Sequence, residues 1–362
     1  MLWLYLGFIA LVILLLALDL GVFHREAHEV STREALGWSA FWIGLGLSFS
    51  VFVYYGYEGR WLGLGTTVDT MSTPQTLTDG ALVYNDGGSA LLKYLTGFLV
   101  EKSLAVDNIF VIAMIFSFFA VPSIYQHRVL FWGVLGALVM RGVMIAVGAA
   151  LIVKFSWIIY VFGGFLVLTG LKMLTLKAGK TDLNKNVGVR LARRLIPITE
   201  RYHGQRFLVR AGSPESRAPA TPGAVAERDH VVETAPSGAL LATPLLLALV
   251  LVEFTDLIFA VDSIPAIFAI TTDPFLVFTS NVFAILGLRS LYFALAGMID
   301  RFAYLKVALA VILVVVGIKM MTHGWLKAVL GSHFNFYVLG VVVGILAVGI
   351  LASLVSQPKR AH

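Results

Sequence analysis

The sequence predicts an all-α protein: a polytopic membrane bundle of about nine spans, built around two inverted three-helix repeats. Three observations carry this. The 362 residues are 59% hydrophobic and 13% charged, with a mean hydropathy of +0.88; an average soluble domain carries about 25% charged residues. Apolar runs long enough to cross a bilayer recur along the chain. One charged pattern occurs twice inside such runs, as Glu101-Lys-Ser-Leu-Ala-Val-Asp107-Asn108 and as Glu253-Phe-Thr-Asp256-Leu-Ile-Phe-Ala-Val-Asp262-Ser263. An ionised carboxylate in hydrocarbon costs about 3 kcal/mol on insertion scales. Paying that twice points to one shared site, and cations are the natural ligands of clustered oxygens.

Taken in order, the runs fall near 2–23, 38–57, 89–119, 128–152, 155–176, 240–270, 275–297, 302–321 and 334–355. The first has no preceding basic residue, and Asp19 interrupts its apolar core, so it reads as a retained span rather than a cleaved signal. The third and sixth exceed a single straight span. The chain divides into 1–176 (spans one to five, first repeat from 89), a basic loop at 177–239, a second repeat at 240–321, and a last span with a short tail at 322–362. The loop carries Lys177, Lys180, Lys185, Arg190, Arg193, Arg194, Arg201, Arg206, Arg210 and Arg217. That concentration reads as a topology signal and an anionic-lipid contact, not as a nucleic-acid surface. Residues 183–210 have the charge for a basic interfacial helix, and 211–239 have the composition of a disordered segment. Placing the loop in the cytoplasm puts the N-terminus outside and the C-terminus inside. Lys319 and Lys327 then run against the rule. Glu58, Asp69, Asp79 and Asp86 form a solvated acidic surface on the opposite side.

The repeat extends beyond the acidic motif. Phe155 through Met173 aligns without a gap on Phe302 through Met320, and Arg141 and Arg289 occupy similar places between. With five spans before the loop, the two copies enter the membrane from opposite sides, as in secondary transporters. On a straight helix Glu101 and Asn108 share a face, whereas Asp107, and likewise Asp262 relative to Glu253, would point away. Breaks near Ala105–Asn108 and Ala260–Pro265 would let all the carboxylates converge; Pro265 supports the second.

The candidate metal ligands are therefore Glu101, Asp107, Asn108, Glu253, Asp256, Asp262 and Ser263. There is no cysteine, and no histidine lies inside a span. An all-oxygen set suits Mn(II), Mg(II) or Ca(II); Met114, Met140, Met144 and Met298 read as packing. Arg141 and Arg289 either balance or gate the carboxylates, or form structural ion pairs. Asp19 either joins the site or pairs at the interface with Arg25. Asn281 is a further ligand or an interhelical hydrogen-bonding group. Asp273-Pro274 makes the turn that starts the seventh span. No Gly-rich phosphate loop, nucleophile elbow or HExxH pattern is present, so no enzymatic activity and no permanently bound cofactor are expected.

The motifs above, together with Asp273-Pro274-Phe through Ser280-Asn281-Val-Phe-Ala-Ile-Leu-Gly-Leu-Arg289-Ser-Leu-Tyr-Phe, resemble the TerC family of integral membrane proteins, related to the LysE-type exporters. The resemblance covers Asp19 to Met321. It implies membrane transport of a divalent metal, Mn(II) efflux foremost, through an inner membrane. It adds weight to Asp19, because Leu-Asp19-Leu-Gly resembles the family's opening helix. The rival expectation is a metal-handling or stress-response scaffold of the tellurium-resistance type, delivering metal to secreted proteins without net transport. A membrane redox or proton enzyme is a third, disfavoured by the missing histidine pairs and cofactor motifs.

Overall fold

A computed structural model describes residues 1–19, 31–77, 80–155, 157–175, 197–217, 219, 221, 229–295, 303–322, 325–326 and 334–355; the side chains of Asp107 and Asp262 lie outside the description. Among the described residues, long helices form where the apolar runs predict them: α1 Leu2–Leu18, α2 Thr32–Glu58, α3 Gly87–Phe118, α4 Ser123–Lys154 and α5 Ile158–Thr175. After the basic loop and a short α6 at His230–Thr234 come α7 Pro244–Phe268, α8 Pro274–Ile285, α9 Leu288–Leu295, α10 Ala303–Met321 and α11 Phe334–Val355. Local chemistry sets the starts. The Ser31 hydroxyl accepts the Glu34 N–H and the Asp86 carboxylate accepts the Ser89 N–H, each satisfying a donor that the first turn leaves unpaired. Asp273 caps α8 through the N–H groups of Phe275 and Leu276, with Pro274 in the first turn as the sequence leads one to expect.

Helices α3 and α7 run without interruption through Ala105–Asn108 and Ala260–Pro265, contrary to the predicted breaks. Nothing between Glu101 and Phe118 is Gly or Pro, and Pro265 falls in the last turn of α7, where it removes a single hydrogen bond. The break lies one span later. Leu286 turns extended (ψ 133°) and Gly287 takes φ +78°, dividing the seventh span into α8 and α9. Gly287 is required there twice over, since its φ is in the left-handed region and a Cβ would lie 2.5 Å from the Trp42 Cβ.

The first helix of each repeat packs on the second helix of the other: α3 on α8, and α4 on α7. The third helices, α5 and α10, pack on each other, and they run antiparallel. A Cβ on Gly163 would meet the Gly317 carbonyl at 3.0 Å, while one on Gly170, seven residues on, would meet the Ala310 carbonyl, seven residues back, at 2.6 Å. The gapless alignment exchanges these pairs, Gly163 with Ala310 and Gly170 with Gly317, so the contact is its own image. Small residues let the backbones approach this closely.

The described part of the 177–239 segment is more structured than its composition implies. Residues 197–210 are not a helix; β3 Leu208–Arg210 pairs antiparallel with β4 Leu240–Ala242, over a small core of Val209, Ala211 and Leu241. The part of 211–239 that is described joins this unit rather than lying disordered: the Asp229 carboxylate accepts the Arg201, Val231 and Val232 N–H groups. Tyr202 ties it to the bundle by donating to the Phe119 carbonyl at 2.7 Å. Residues 183–196 and most of the basic residues lie outside the description. A second hairpin, β1 Gln75–Thr76 with β2 Leu82–Val83, sits in the α2–α3 loop at the other face.

Candidate metal site

Glu101, Arg141, Asp256, Asn108 and Ser263 come together in the middle of the bundle. Glu101 lies halfway along α3, Arg141 beyond the middle of α4, and Asp256 halfway along α7. The Arg141 guanidinium donates to one Glu101 oxygen, to both Asp256 oxygens at 2.9 and 3.2 Å, and to the Ser263 hydroxyl at 3.2 Å. Asn108 donates to the same Asp256 carboxylate at 3.3 Å. Glu101 and Arg141 are buried, as are Asn108 and Ser263. The ligands reach one point from an uninterrupted α3 because Glu101 and Asn108 are two turns apart on one face. The remaining Glu101 and Asn108 oxygens are buried with no hydrogen-bond partner among the described residues. A buried oxygen without a donor is costly, and a cation would satisfy both.

Not every predicted ligand joins this cluster. Glu253, one turn before Asp256, packs against Gly136 instead, so closely that a Cβ on residue 136 would collide with the carboxylate. Asp19 pairs with Arg289 at 3.1 Å, and both are buried. Arg289 is thus not the mid-helix counterpart of Arg141: it lies at the start of α9, just past the break. The Asp107 and Asp262 side chains lie outside the described residues. Among the described residues no three Asp, Glu or His side chains gather as a metal cluster; the assembled donors are two carboxylates, an amide and a hydroxyl around a guanidinium. Asn281 is fully buried in α8 with neither polar atom partnered among the described residues.

A cavity leads from the cluster toward the α3–α4 turn, lined by Asn108, Ile112, Leu130, Arg141, Asp256 and Leu288 among others. A second, holding Asp19 and Arg289, shares Val134 with it. Toward the other face the bundle is sealed by residues that the sequence reading left in solvent. Asp69 is fully buried, not part of a solvated surface. It accepts Lys93 Nζ at 2.7 Å, Asn85 Nδ2 at 3.0 Å, the Thr271 hydroxyl at 2.6 Å and the Thr272 N–H at 3.0 Å. Burial would raise its carboxyl, but the Lys93 ammonium and these hydrogen bonds overcome it and hold Asp69 well below the usual carboxylate range. Asp273, beside it, is pushed up to about 6 by burial and by the Asp69 charge. Lys319 also leaves the solvent: it is buried and donates to the Ala269 carbonyl at the end of α7.

The sequence matches the Integral membrane protein TerC family over residues 86–361. The chain belongs to the TerC family. Full-length relatives agree. It is 45% identical to the "Uncharacterized membrane protein STKORF319" of Myxococcus xanthus, over 98% of this chain and 92% of that one. It is 42% identical to the "Putative membrane-bound redox modulator Alx" of Escherichia coli K12, over 94% of this chain and 90% of that one. An "Uncharacterized membrane protein" of Rickettsia bellii is 35% identical, over 97% and 96%. No solved structure matches. Membership in TerC accords with the helices: α2, α4, α7 and the α8–α9 pair are long and apolar enough to cross a membrane.

Proposed function

We propose that this TerC protein is a secondary transporter that exports a divalent metal ion, with Mn(II) as its principal cargo. The observation that carries the reading is the meeting of Glu101 and Asp256, one from each repeat, on a single guanidinium deep in the bundle. Separating either carboxylate from Arg141 without a replacement would leave a buried charge, at about 3–5 kcal/mol. A divalent cation is such a replacement: its two charges and preference for oxygen match two carboxylates, the Asn108 amide and the Ser263 hydroxyl. Arg141 then acts as the resting counter-ion that metal displaces. Asp107 and Asp262, next to Asn108 and Ser263, are proposed as additional ligands that local unwinding of α3 and α7 brings in when metal binds. Asp19 with Arg289 guards the cavity below, and Asn281 is a polar lining group.

The two repeats work as inverted halves in an inner membrane, with the N-terminus outside, the C-terminus in the cytoplasm, and the basic loop against anionic lipid. Burial of Lys319 supports this orientation, since it removes one of two charges that opposed it. The cavity then faces the cytoplasm and the Asp69 network closes the outer side. A redox effect, as in the name of the E. coli relative, would act here through the metal, because this sequence has no cysteine.

The test is Mn(II) flux by purified protein in liposomes, with Mg(II), Ca(II), Zn(II) and proton gradients compared. Flux above protein-free vesicles, reduced about tenfold or more by Glu101→Gln or Asp256→Asn, is the expected result. Metal binding without flux would favour the delivery scaffold, and neither would overturn both readings.

A further inference from the structure

Lys102 follows Glu101 on α3 but serves a different element. Its ammonium donates to the Ala284 carbonyl at 3.0 Å and to the Leu286 carbonyl at 3.4 Å. Both belong to the break between α8 and α9. In a continuous helix they would accept the N–H groups of residues 288 and 290. Here the turn at Leu286 and Gly287 releases them, and they lie at the C-terminal end of α8, where the helix dipole adds partial negative charge. Half-helix C-termini with freed carbonyls are the groups that hold a coupling Na⁺ or H⁺ in transporters built from broken helices. In this chain a covalently attached cation stands at such a place.

We propose that Lys102 is a tethered cation: its ammonium fills the monovalent-cation position created by the break in the seventh span and holds α8 and α9 in the arrangement that lines the metal cavity. Lys102 is a positioning residue, not a metal ligand. It also couples the two features of the bundle, because α3 carries Glu101 to Arg141 and, at the next residue, Lys102 to the break. Ile285 and Leu288, on either side of that break, line the metal cavity, and Arg289, the next residue, lines the neighbouring one. The consequence for specificity is that transport needs no Na⁺ or K⁺, since the position they would occupy is already filled. The proposal rests on the export reading for its transport readout, and a stability readout keeps the two separable.

The experiment compares full-length wild type with Lys102→Gly, Lys102→Met and Lys102→Arg in liposomes. Mn(II) flux is measured in choline chloride, in NaCl or KCl, and in propylammonium chloride; equilibrium Mn(II) binding and melting temperature are measured alongside. Wild-type flux should be the same in all media. Lys102→Met should lose about tenfold or more in flux while still binding Mn(II), and Lys102→Arg should retain more than Lys102→Met. Lys102→Gly should be slow in choline and recover in KCl, NaCl or propylammonium, because only that variant leaves an open cation position. Wild-type flux that depends on Na⁺ or K⁺ would overturn the proposal, as would wild-type rates in Lys102→Met. So would a folded, Mn(II)-binding Lys102→Gly that no monovalent cation restores. If wild type moves no Mn(II) in any medium, the export reading fails, and the tether is decided by melting alone. Lys102→Gly should then be stabilised by propylammonium or KCl over choline, and equal melting in all media would reject it.

Discussion

Asp69 and Asp273 show how far a residue's surroundings can depart from its sequence neighbourhood. Asp69 sits in a polar stretch, Gly-Thr-Thr-Val-Asp69-Thr-Met-Ser, with every local sign of a solvated loop. Its partners lie far along the chain, at Lys93 and at Thr271 and Thr272, and no local pattern announces such a pairing. The signal in the sequence is Lys93 itself, an ammonium inside the first two turns of an apolar helix, which requires buried acceptors. Glu101 and Asp256 were legible for the opposite reason: a carboxylate inside an apolar run has few explanations other than a site. Asp273 yields a pH-dependent expectation. Below about pH 4 its carboxyl is neutral in both folded and unfolded chains. Between about 4 and 6 the folded protein holds a proton that the unfolded chain has released, so stability falls across that window and stays lowered above it. Asp273→Asn keeps the helix cap and removes the charge facing Asp69. It should stabilise the protein at pH 8 by about 2–3 kcal/mol, because each pH unit of that window is worth roughly 1.4 kcal/mol, and change little at pH 4. Thermal melts at the two pH values decide it; an equal change at both would count against a buried, repelled carboxylate.

At the scale of elements, the nine apolar runs were legible because hydropathy and length decide where a helix can cross a bilayer. The predicted breaks serve Asp107 and Asp262, which a straight helix directs off the shared face. The donors that meet at Arg141 need none: Glu101 and Asn108 on α3, and Asp256 and Ser263 on α7, are each seven residues apart and share a face. The true one, at Leu-Gly-Leu in the seventh span, has no proline to mark it. Its signs were Gly287 inside a span and Lys102, a cation on an apolar helix whose ammonium meets carbonyls rather than an acid. Gly287→Ala tests the break directly. A left-handed φ costs a non-glycine residue about 1–2 kcal/mol, and overpacking against the Trp42 side chain adds about 1–3 kcal/mol. The variant should therefore lose about 2–5 kcal/mol in stability. Combining it with Trp42→Gly, which removes the Cβ that the new methyl would meet, should return the packing part but not the conformational part. A double-mutant cycle on melting free energies separates the two, and full recovery in the Trp42→Gly background would mean that the backbone at residue 287 is not strained.

At the scale of the whole molecule, the two ends of the bundle are unequal. The cavity below Arg141 and Asp256 and the one that holds Asp19 and Arg289 share Val134 as a wall, while the other face is closed by the α2–α3 loop. Besides the Asp69 network, the Thr70 N–H donates to the Thr272 hydroxyl at 2.8 Å, and the two threonine hydroxyls stand 3.2 Å apart. These contacts clamp the loop to the start of α8. In the proposed export cycle the clamp must release once per turnover, so that a metal ion taken up at Glu101 and Asp256 can leave past Lys93. A closure that never opened would be a plug, and the protein would bind metal without moving it. The chain has no cysteine of its own, so Thr70→Cys with Thr272→Cys would introduce the sole pair of thiols, in place of two hydroxyls that stand 3.2 Å apart. The reduced double variant should carry Mn(II) at close to the wild-type rate. Oxidation should stop flux while leaving Mn(II) binding from the cavity side intact, and dithiothreitol should restore it. Undiminished flux in the oxidised form, with the disulfide verified by mass, would mean that the Asp69 face stays shut throughout, and the exit would have to be sought elsewhere in the bundle. Loss of binding together with flux would instead place the clamp in contact with the metal site, which its position at the far end of α3 does not lead one to expect.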